Sequence, residues 1–536
     1  MFKSSFLWLC SLLMLASLLV GCQRHRKVTS SNTPRHVLRV AVEDPSRNFD
    51  PRTTRNLSAT TVMRMLFEGL MRLDSNDHAV PALAKDVDIS DDLLTYVFTL
   101  RDGSWSNGDP ITAYDFEYSW KKVLDPHFPA PNAFQFYVIS GAKAAKEGKL
   151  SPDDVGIAAL NSNTLVVHLE VPTPNFLDLV AFHSFFPVNQ RWDQQFPNWP
   201  EQGPVFFVGN GPFVYARAHP DQLDMDKNPL YWDADAVKLD TVELVMVDEN
   251  TSRQLFEQEE LDWIGSPLST LSQDAIPALR HTNLKIAPSA GTQFFRFNTA
   301  VPPFDDVRIR KAFSYALNRQ VIVDHILQAG QLPAMALVPP SLGIARTAFF
   351  NDNDREEALS LFQEALNSVG ITRDAFPLIT LTYTNNDRYH KIAQAVQQQW
   401  QHAFGIPIRL QQQESKVVYD LLRHGEYQVC IGSWFADTRD SKDFLEVFSR
   451  KNNGTNNTGW EDPQYLKLLQ EASRESDSLK RDTLLYHAEK LLMDAMPIAP
   501  INYFSFAYLQ KDYVHDVCVS ELGFLDFKHA FVEKQR

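Results

Sequence analysis

Cysteine is scarce in this chain, with four among 536 residues, and none of them falls in a CxxC or Cys/His grouping. The ligand spacing of a structural zinc site is therefore missing. Cys10 and Cys22 lie in an N-terminal apolar stretch, which leaves Cys430 and Cys518 in the body of the protein. Those two can form one disulfide in an oxidising compartment or remain as buried thiols. Catalytic signatures are missing too: there is no GxSxG elbow, no HExxH pair and no GxxxxGK[ST] phosphate loop. Gly209-Asn210-Gly211 half resembles a dinucleotide loop, but Val214 stands where the third glycine belongs. The fifteen histidines are scattered without an i, i+4 pair, and no spacing of carboxylates singles out an acid/base couple. No metal and no cofactor is expected. No long basic run follows the first thirty residues, and the net charge is −15. A nucleic-acid binder needs a basic stripe to displace counterions, so nucleic acid is excluded as a partner.

What the chain does have is size and apolar material. At 536 residues and 44 % hydrophobic content it predicts two to four units with real cores. The N-terminus reads as a targeting segment, with Lys3 ahead of an apolar stretch from Phe6 to Val20. That stretch is short for a membrane span of about twenty residues. Leu19-Val20-Gly21-Cys22 is similar to a bacterial lipoprotein signal, in which small residues precede the cysteine that receives lipid. On this reading 1–21 is a signal peptide and Cys22 is lipidated and palmitate-bearing, with several acyl chains giving durable anchoring. The polar, basic segment 22–36 is then a tether holding the body off a membrane.

The stretch from Asp91 to Trp120 carries the clearest local pattern. Tyr96, Phe98 and Leu100 alternate as in a strand, and Asn107-Gly108-Asp109-Pro110 supplies turn chemistry. Thr112 reads as a helix N-cap with Asp115 at N3, and Phe116, Trp120 and Val123 continue at helical spacing. Elsewhere strands are expected at Val37–Val42, Val155–Val171, Val242–Val247, Leu378–Tyr383 and Ile406–Leu410. Helices are expected at Leu57–Leu70, Arg355–Val369 and Lys391–Phe404, the last two closed by Gly370 and Gly405. Alternating strands and helices imply parallel βαβ sheets. The segment from Arg191 to Pro204, rich in Trp, Pro, Gln and Asn, reads as a surface connection near a domain boundary.

The run Trp105-Ser106-Asn107-Gly108-Asp109-Pro110-Ile111-Thr112-Ala113-Tyr114-Asp115-Phe116 closely resembles the signature of the solute-binding proteins of peptide, dipeptide and nickel ABC importers, family 5. Phe67-Glu68-Gly69-Leu70, Gly209-Asn210-Gly211-Pro212-Phe213, Asn228-Pro229-Leu230-Tyr231-Trp232 and Pro303-Phe304-Asp305-Asp306-Val307-Arg308 are similar to further motifs of that family. The resemblance implies an α/β fold of two lobes, the type II (cluster C) periplasmic-binding-protein fold, with an inserted subdomain and an interlobe ligand cleft. It implies a first lobe of 37–68, 196–297 and 505–536, an inserted subdomain of 69–195 and a second lobe of 298–504.

The same resemblance points to ligand-binding residues. Trp434-Phe435-Ala436-Asp437 matches the family's cleft loop, whose aspartate receives the peptide α-ammonium. The pairing is physically sound, since a carboxylate–ammonium bond has roughly twice the strength of a neutral one. Trp434 and Phe435 would supply aromatic walls; alternatively Asp437 only caps a turn. Asn456, in the polar loop Asn452–Trp460, stands where relatives line the cleft. Phe134, Phe136 and Tyr137, and also Tyr503, fall where the family has ligand-facing aromatics, with core packing as the equal alternative. Arg55 and Arg423 are candidates for extra carboxylates. Ile431 and Ser415 replace an arginine and a tryptophan of many peptide binders, which implies altered specificity.

The implied function is that of a non-enzymatic, monomeric solute-binding component of an ABC importer in the bacterial cell envelope. It would capture oligopeptides and pass them to a permease with its ATPase subunits, since the chain has no nucleotide site. A murein fragment, nickel or haem as ligand, or a role as surface adhesin or receptor, stays open as an alternative.

Overall fold

A computed structural model of the protein describes residues 36–43, 48–54, 57–272, 274–280, 282–342, 348–451 and 453–533. Cys22, its signal, the tether up to Arg35 and Arg55 lie outside the described residues. Among the described residues no helix is long and apolar enough to cross a membrane.

Two long strands organise everything else, Leu284–Phe297 and Ile498–Gln510. They pair antiparallel at the centre of an eleven-stranded mixed sheet. On one side of them lie Val429–Phe435, Ile379–Thr384 and Ile408–Gln413; on the other, Trp263–Gly265, Val37–Val42, Thr241–Met246, Gln222–Lys227 and Phe213–Ala218. The expected parallel pairing holds for Ile379–Thr384 with both of its neighbours and for Val37–Val42 with Thr241–Met246. It fails in the middle, because the two crossing strands run in opposite directions. Their ladder slips between Pro288 and Thr292, at the point where they leave one hydrophobic core for the other. One core gathers Leu38, Val40, Trp105, Trp120, Leu244 and Trp263; the other gathers Phe295, Phe313, Trp400 and Ile498.

An antiparallel sheet of Ala84–Ile89, Thr95–Leu100, Thr164–His168 and Ile157–Asn161 packs with the helix Ala113–Leu124 against the first core. The expected strand from Val155 to Val171 is thus a hairpin, turned at Ser162-Asn163. At the helix start the Asp115 carboxylate accepts the Thr112 backbone N–H at 2.8 Å. The segment from Arg191 to Pro204 runs largely along the surface, as expected, but is anchored inward at Asp193, Trp199 and Pro200. Trp199 is buried, donates its indole N–H to Asp193 at 2.8 Å and packs on Phe67 and Phe207. Cys430 and Cys518 are both free thiols.

The first helix ends at Leu66, four residues early, because another segment takes its last carbonyl. Gly211 donates its N–H to Leu66 O at 2.9 Å, and a Cβ on Gly211 would come within 2.5 Å of that same backbone. Glu68 follows, fully enclosed. Its carboxylate accepts from the Tyr231 hydroxyl at 2.8 Å, from Arg72 at 3.0 Å and from the Trp232 indole. Arg72 in turn grips Asp526 at 2.5 Å, with the Arg64 guanidinium 3.7 Å from the same carboxylate. Burial alone would raise the Asp526 carboxyl, but Arg72 and then Arg64 outweigh it and hold it at about 2.

This sets a pH dependence. The folded value lies below the unfolded one of about 3.9, so the stabilisation is present above pH ~4 and is lost as pH falls towards ~2. Asp526→Asn is expected to cost about 3 kcal/mol at neutral pH, as breaking a buried pair does. Chemical denaturation of variant and wild type should converge towards pH ~2. Glu489 behaves in the opposite sense. Burial pushes its carboxyl up to about 7, although the backbone N–H groups of Leu337 and Val338 donate to it at 2.9 and 2.8 Å. Stability from this group is complete below the unfolded value of about 4.3 and falls as pH rises towards about 7. Glu489→Gln is therefore expected to gain on wild type as pH rises from ~5, reaching about 3 kcal/mol by pH ~8 in the same measurement.

Candidate functional site

The strand Val429–Phe435 runs alongside the crossing strand and delivers its last residues to the ladder slip, with Gly291 opposite Phe435. Only glycine fits there. A Cβ on Gly291 would lie 2.5 Å from the Phe435 ring and 3.0 Å from Phe504, and those rings stack on each other with centroids 4.6 Å apart. Beyond the strand, Ala436 N–H donates to Ala290 O at 2.8 Å, so the loop leaves the sheet where the two lobes meet.

One carboxylate then holds the loop. Asp443 Oδ2 accepts the backbone N–H of Asp437 at 2.6 Å and of Thr438 at 3.2 Å, while Oδ1 accepts the Trp434 indole N–H at 3.2 Å. Burial and the neighbouring Asp437 carboxylate together push the Asp443 carboxyl well above the usual range. Asp440 caps the helix Ser441–Glu446 through Lys442 N–H at 3.0 Å and pairs with Arg481 at 2.6 Å. Arg439 reaches across to the carbonyl of Asn76.

The Asp437 side chain is exposed and borders two spaces. The first is walled by Arg64, Phe182, His183 and Phe524. The second lies between the segments around Phe134 and Pro172 and the loop and helix from Asp437 to Glu446. In the first space His183 is held neutral: burial lowers its imidazole to about 4, and the ring contacts Thr54 O at 3.0 Å. Burial also lowers the Arg64 guanidinium to about 10. A carboxylate on the seam between two concave surfaces is placed to meet a cation as the gap is filled.

The other residues singled out from the sequence go elsewhere. Trp434 is half-buried, packs on the second core and spends its indole N–H on Asp443. Phe435 is 39 % exposed and stacks on Phe504 beside the gap. Asn456 is fully buried. Its amide donates to Trp460 O at 2.9 Å and accepts the Thr458 hydroxyl at 2.5 Å, so it ties the loop together and does not face a ligand. Tyr503 is buried in the crossing strand with its hydroxyl on Ala336 O at 3.2 Å. Tyr137 is half-buried beside Glu147; Phe134 reaches the second space instead, and Phe136 is core, stacked on Phe185. Arg423 is exposed on the outer helix Ser415–His424 and pairs with Asp420 at 3.8 Å. It lines neither space, because the helix turns its apolar face, Val418 and Leu422, inward. The sequence reading missed Asp443, Gln135 and Arg64. The one available signal was for Asp443, an acid at a fixed short distance after Asp437 in the first turn of a helix.

Comparison with known proteins agrees with this architecture. Residues 78–456 match the family described as bacterial extracellular solute-binding proteins, family 5 (middle). The chain is 40 % identical to the oligopeptide-binding protein OppA of Bacillus subtilis over 478 residues, 88 % of each chain. Among solved structures, it superposes on the unliganded open form of the murein tripeptide-binding protein MppA with a TM-score of 0.80, at 27 % identity, covering 94 % of this chain and 98 % of that one. Haemophilus influenzae OppA in complex with the peptide RPPGFSPFR gives a TM-score of 0.74 at 26 % identity, covering 94 % of this chain and all of the other. With a two-lobe fold, a gap between the lobes and these matches, the chain belongs to the family 5 extracellular solute-binding proteins of ABC transporters.

Proposed function

We propose that the protein captures oligopeptides in the interlobe gap, with the peptide α-ammonium on Asp437, and delivers them to an ABC permease. The observation that carries this reading is the placement of the Asp437 side chain on the seam of two spaces, on a loop fixed by Asp443. The peptide-binding names of the relatives support it. No bond is made or broken. The first lobe with its inserted subdomain (69–195) closes on the second, which takes over at the ladder slip and not at residue 298, because Ala290, Phe294, Phe295 and Phe297 pack in the second core. The separate cores and the ladder slip at Pro288–Thr292 support a hinge at the crossing strands. Binding favours the closed form only through its tighter contacts there. Closure removes water from the ammonium–carboxylate pair, which strengthens it and makes an unpaired partner costly.

Calorimetry with tri- to pentapeptides is expected to show binding to the wild type. Asp437→Ala should weaken it by about thirtyfold or more, the cost of leaving one charge of a desolvated pair unmatched. N-acetylated peptides should lose as much on the wild type and nothing further on the variant. Equal binding of free and acetylated peptides defeats the assignment.

The anchor belongs to the same reading. Residues 1–21 are removed, Cys22 carries the lipid, and 23–36 spans the distance to the membrane surface, leaving a monomeric body outside the cytoplasm. Mass spectrometry of the protein from its native membrane should show a mature chain that begins at Cys22 and carries acyl groups. Cys22→Ser should release the protein into the soluble fraction.

A further inference from the structure

The second space beside Asp437 has two unlike walls. On the second-lobe side the charged groups already have partners. Asp440 pairs with Arg481 at 2.6 Å and Glu446 with Lys442 at 3.0 Å. Asp443 has both oxygens on the N–H groups of Trp434, Asp437 and Thr438, and Asp437 is the carboxylate read above as the ammonium site. This wall therefore calls for no second cation from a peptide side chain. The facing wall is apolar along Phe134, Val138, Val171, Pro172 and Pro174. Phe134 is 50 % exposed and Val171 is exposed beside it, so part of this apolar surface is uncovered.

Phe134 and Val138 belong to the short helix Ala133–Val138, which is anchored in the core. Phe136 stacks on Phe185 with centroids 3.9 Å apart, and the Asn132 amide donates to Thr54 O at 3.0 Å and to the Ser184 hydroxyl at 3.1 Å. Gln135 lines the space from the same helix. It is only 7 % exposed, and its side-chain Oε1 has no hydrogen-bond partner. A buried acceptor in that state is costly until a donor is brought to it. An uncovered apolar wall with such a group set into it describes one kind of occupant, a flat apolar body that ends in a hydroxyl. An aromatic side chain buries about 150–250 Å², and a buried tyrosine hydroxyl regularly finds a partner. That hydroxyl both donates and accepts, so it meets whichever end of the amide it reaches. Phenylalanine would cover the wall and leave Gln135 unmet; serine would bring the donor and leave the wall bare.

We propose that this space takes a tyrosine side chain from one of the first two residues of the bound peptide, with its ring on the apolar wall and its hydroxyl on Gln135. The proposal rests on the reading of Asp437 as the ammonium site, because that contact places the first two residues beside the space. Calorimetry on the intact chain would compare Tyr-Ala-Ala and Ala-Tyr-Ala with their phenylalanine counterparts and with Ala-Ala-Ala. At one of the two positions tyrosine is expected to bind about tenfold tighter than phenylalanine, and phenylalanine tighter than alanine. In Gln135→Leu the order of tyrosine and phenylalanine should reverse, because the hydroxyl then becomes the unmet group. Phe134→Ala, a change at a half-exposed ring, should weaken both aromatic peptides by about fivefold relative to Ala-Ala-Ala. Tyrosine and phenylalanine peptides that bind the wild type alike at both positions overturn the tyrosine preference and leave the Asp437 assignment standing. An order that does not reverse in Gln135→Leu, or aromatic peptides untouched by Phe134→Ala, overturns the assignment to this space. Failure of all five peptides and of longer ones to bind the wild type overturns the Asp437 reading itself.

Discussion

The fold depends on one enclosed carboxylate, Glu68. A buried charge of this kind is tolerated only when its lone pairs are met, since each unmet group costs on the order of 1–3 kcal/mol or more. Here the Tyr231 hydroxyl, the Trp232 indole and the Arg72 guanidinium meet it. The peptide groups of the same residue are met as well: Asn210 accepts the Glu68 N–H at 3.0 Å and donates to its carbonyl at 2.9 Å. Asn228 then holds Gly211 O at 2.9 Å, and Ser106 N–H donates to Gly209 O at 2.9 Å. Four stretches distant in sequence, around residues 68, 106, 210 and 230, are therefore locked at one point. Glycine is required at 209 and 211 because a Cβ at either would come within 2.5 Å of the backbone of the Met65–Phe67 turn, at 2.2 Å from Leu66 O in the case of Gly209.

That lock joins the inserted antiparallel sheet to the first lobe as one body with one core. The second lobe has its own core and meets the first through the two crossing strands, with fewer tethers elsewhere. Arg439 reaches Asn76 O, and Lys391 pairs with Asp274 at 2.8 Å with both side chains well exposed. Exposed pairs of this sort contribute little. Each lobe is thus tied through its own core, and the central ladder is interrupted beside Gly291. Asp437 sits at that same place, one hydrogen bond beyond Ala290. The proposed hinge and the proposed ammonium site thus share one strand end.

Local patterns were legible from the residues alone. Alternation at Tyr96–Leu100, the Thr112–Asp115 helix start and the glycine stops at 370 and 405 all appear in the structure where their physics puts them. The motif resemblance reached further, to the two-lobe fold, and it singled out the Asp437 loop on which the proposed function rests. What escaped was decided by tertiary contacts. The first helix stops at Leu66 because Gly211 takes its carbonyl from 145 residues away. Trp199 looked like loop composition and is core. Asn456 has the right chemistry for a ligand and spends it on its own loop, and Tyr503 takes the core packing that its residue type left open as the equal alternative.

The loop of Asp437 also shows why a site residue is rarely sufficient by itself. An exposed carboxylate on a free loop would lose more conformational entropy on capture than one already held. Asp443 removes that loss by fixing three N–H groups around it: the indole of Trp434 and the backbone of residues 437 and 438. The cost is a second carboxylate beside the first, each disfavouring ionisation of the other. On the proposed reading of Asp437 as the ammonium site, a cation relieves both at once, so the repulsion becomes part of the attraction for a positively charged ligand and does nothing for a neutral one.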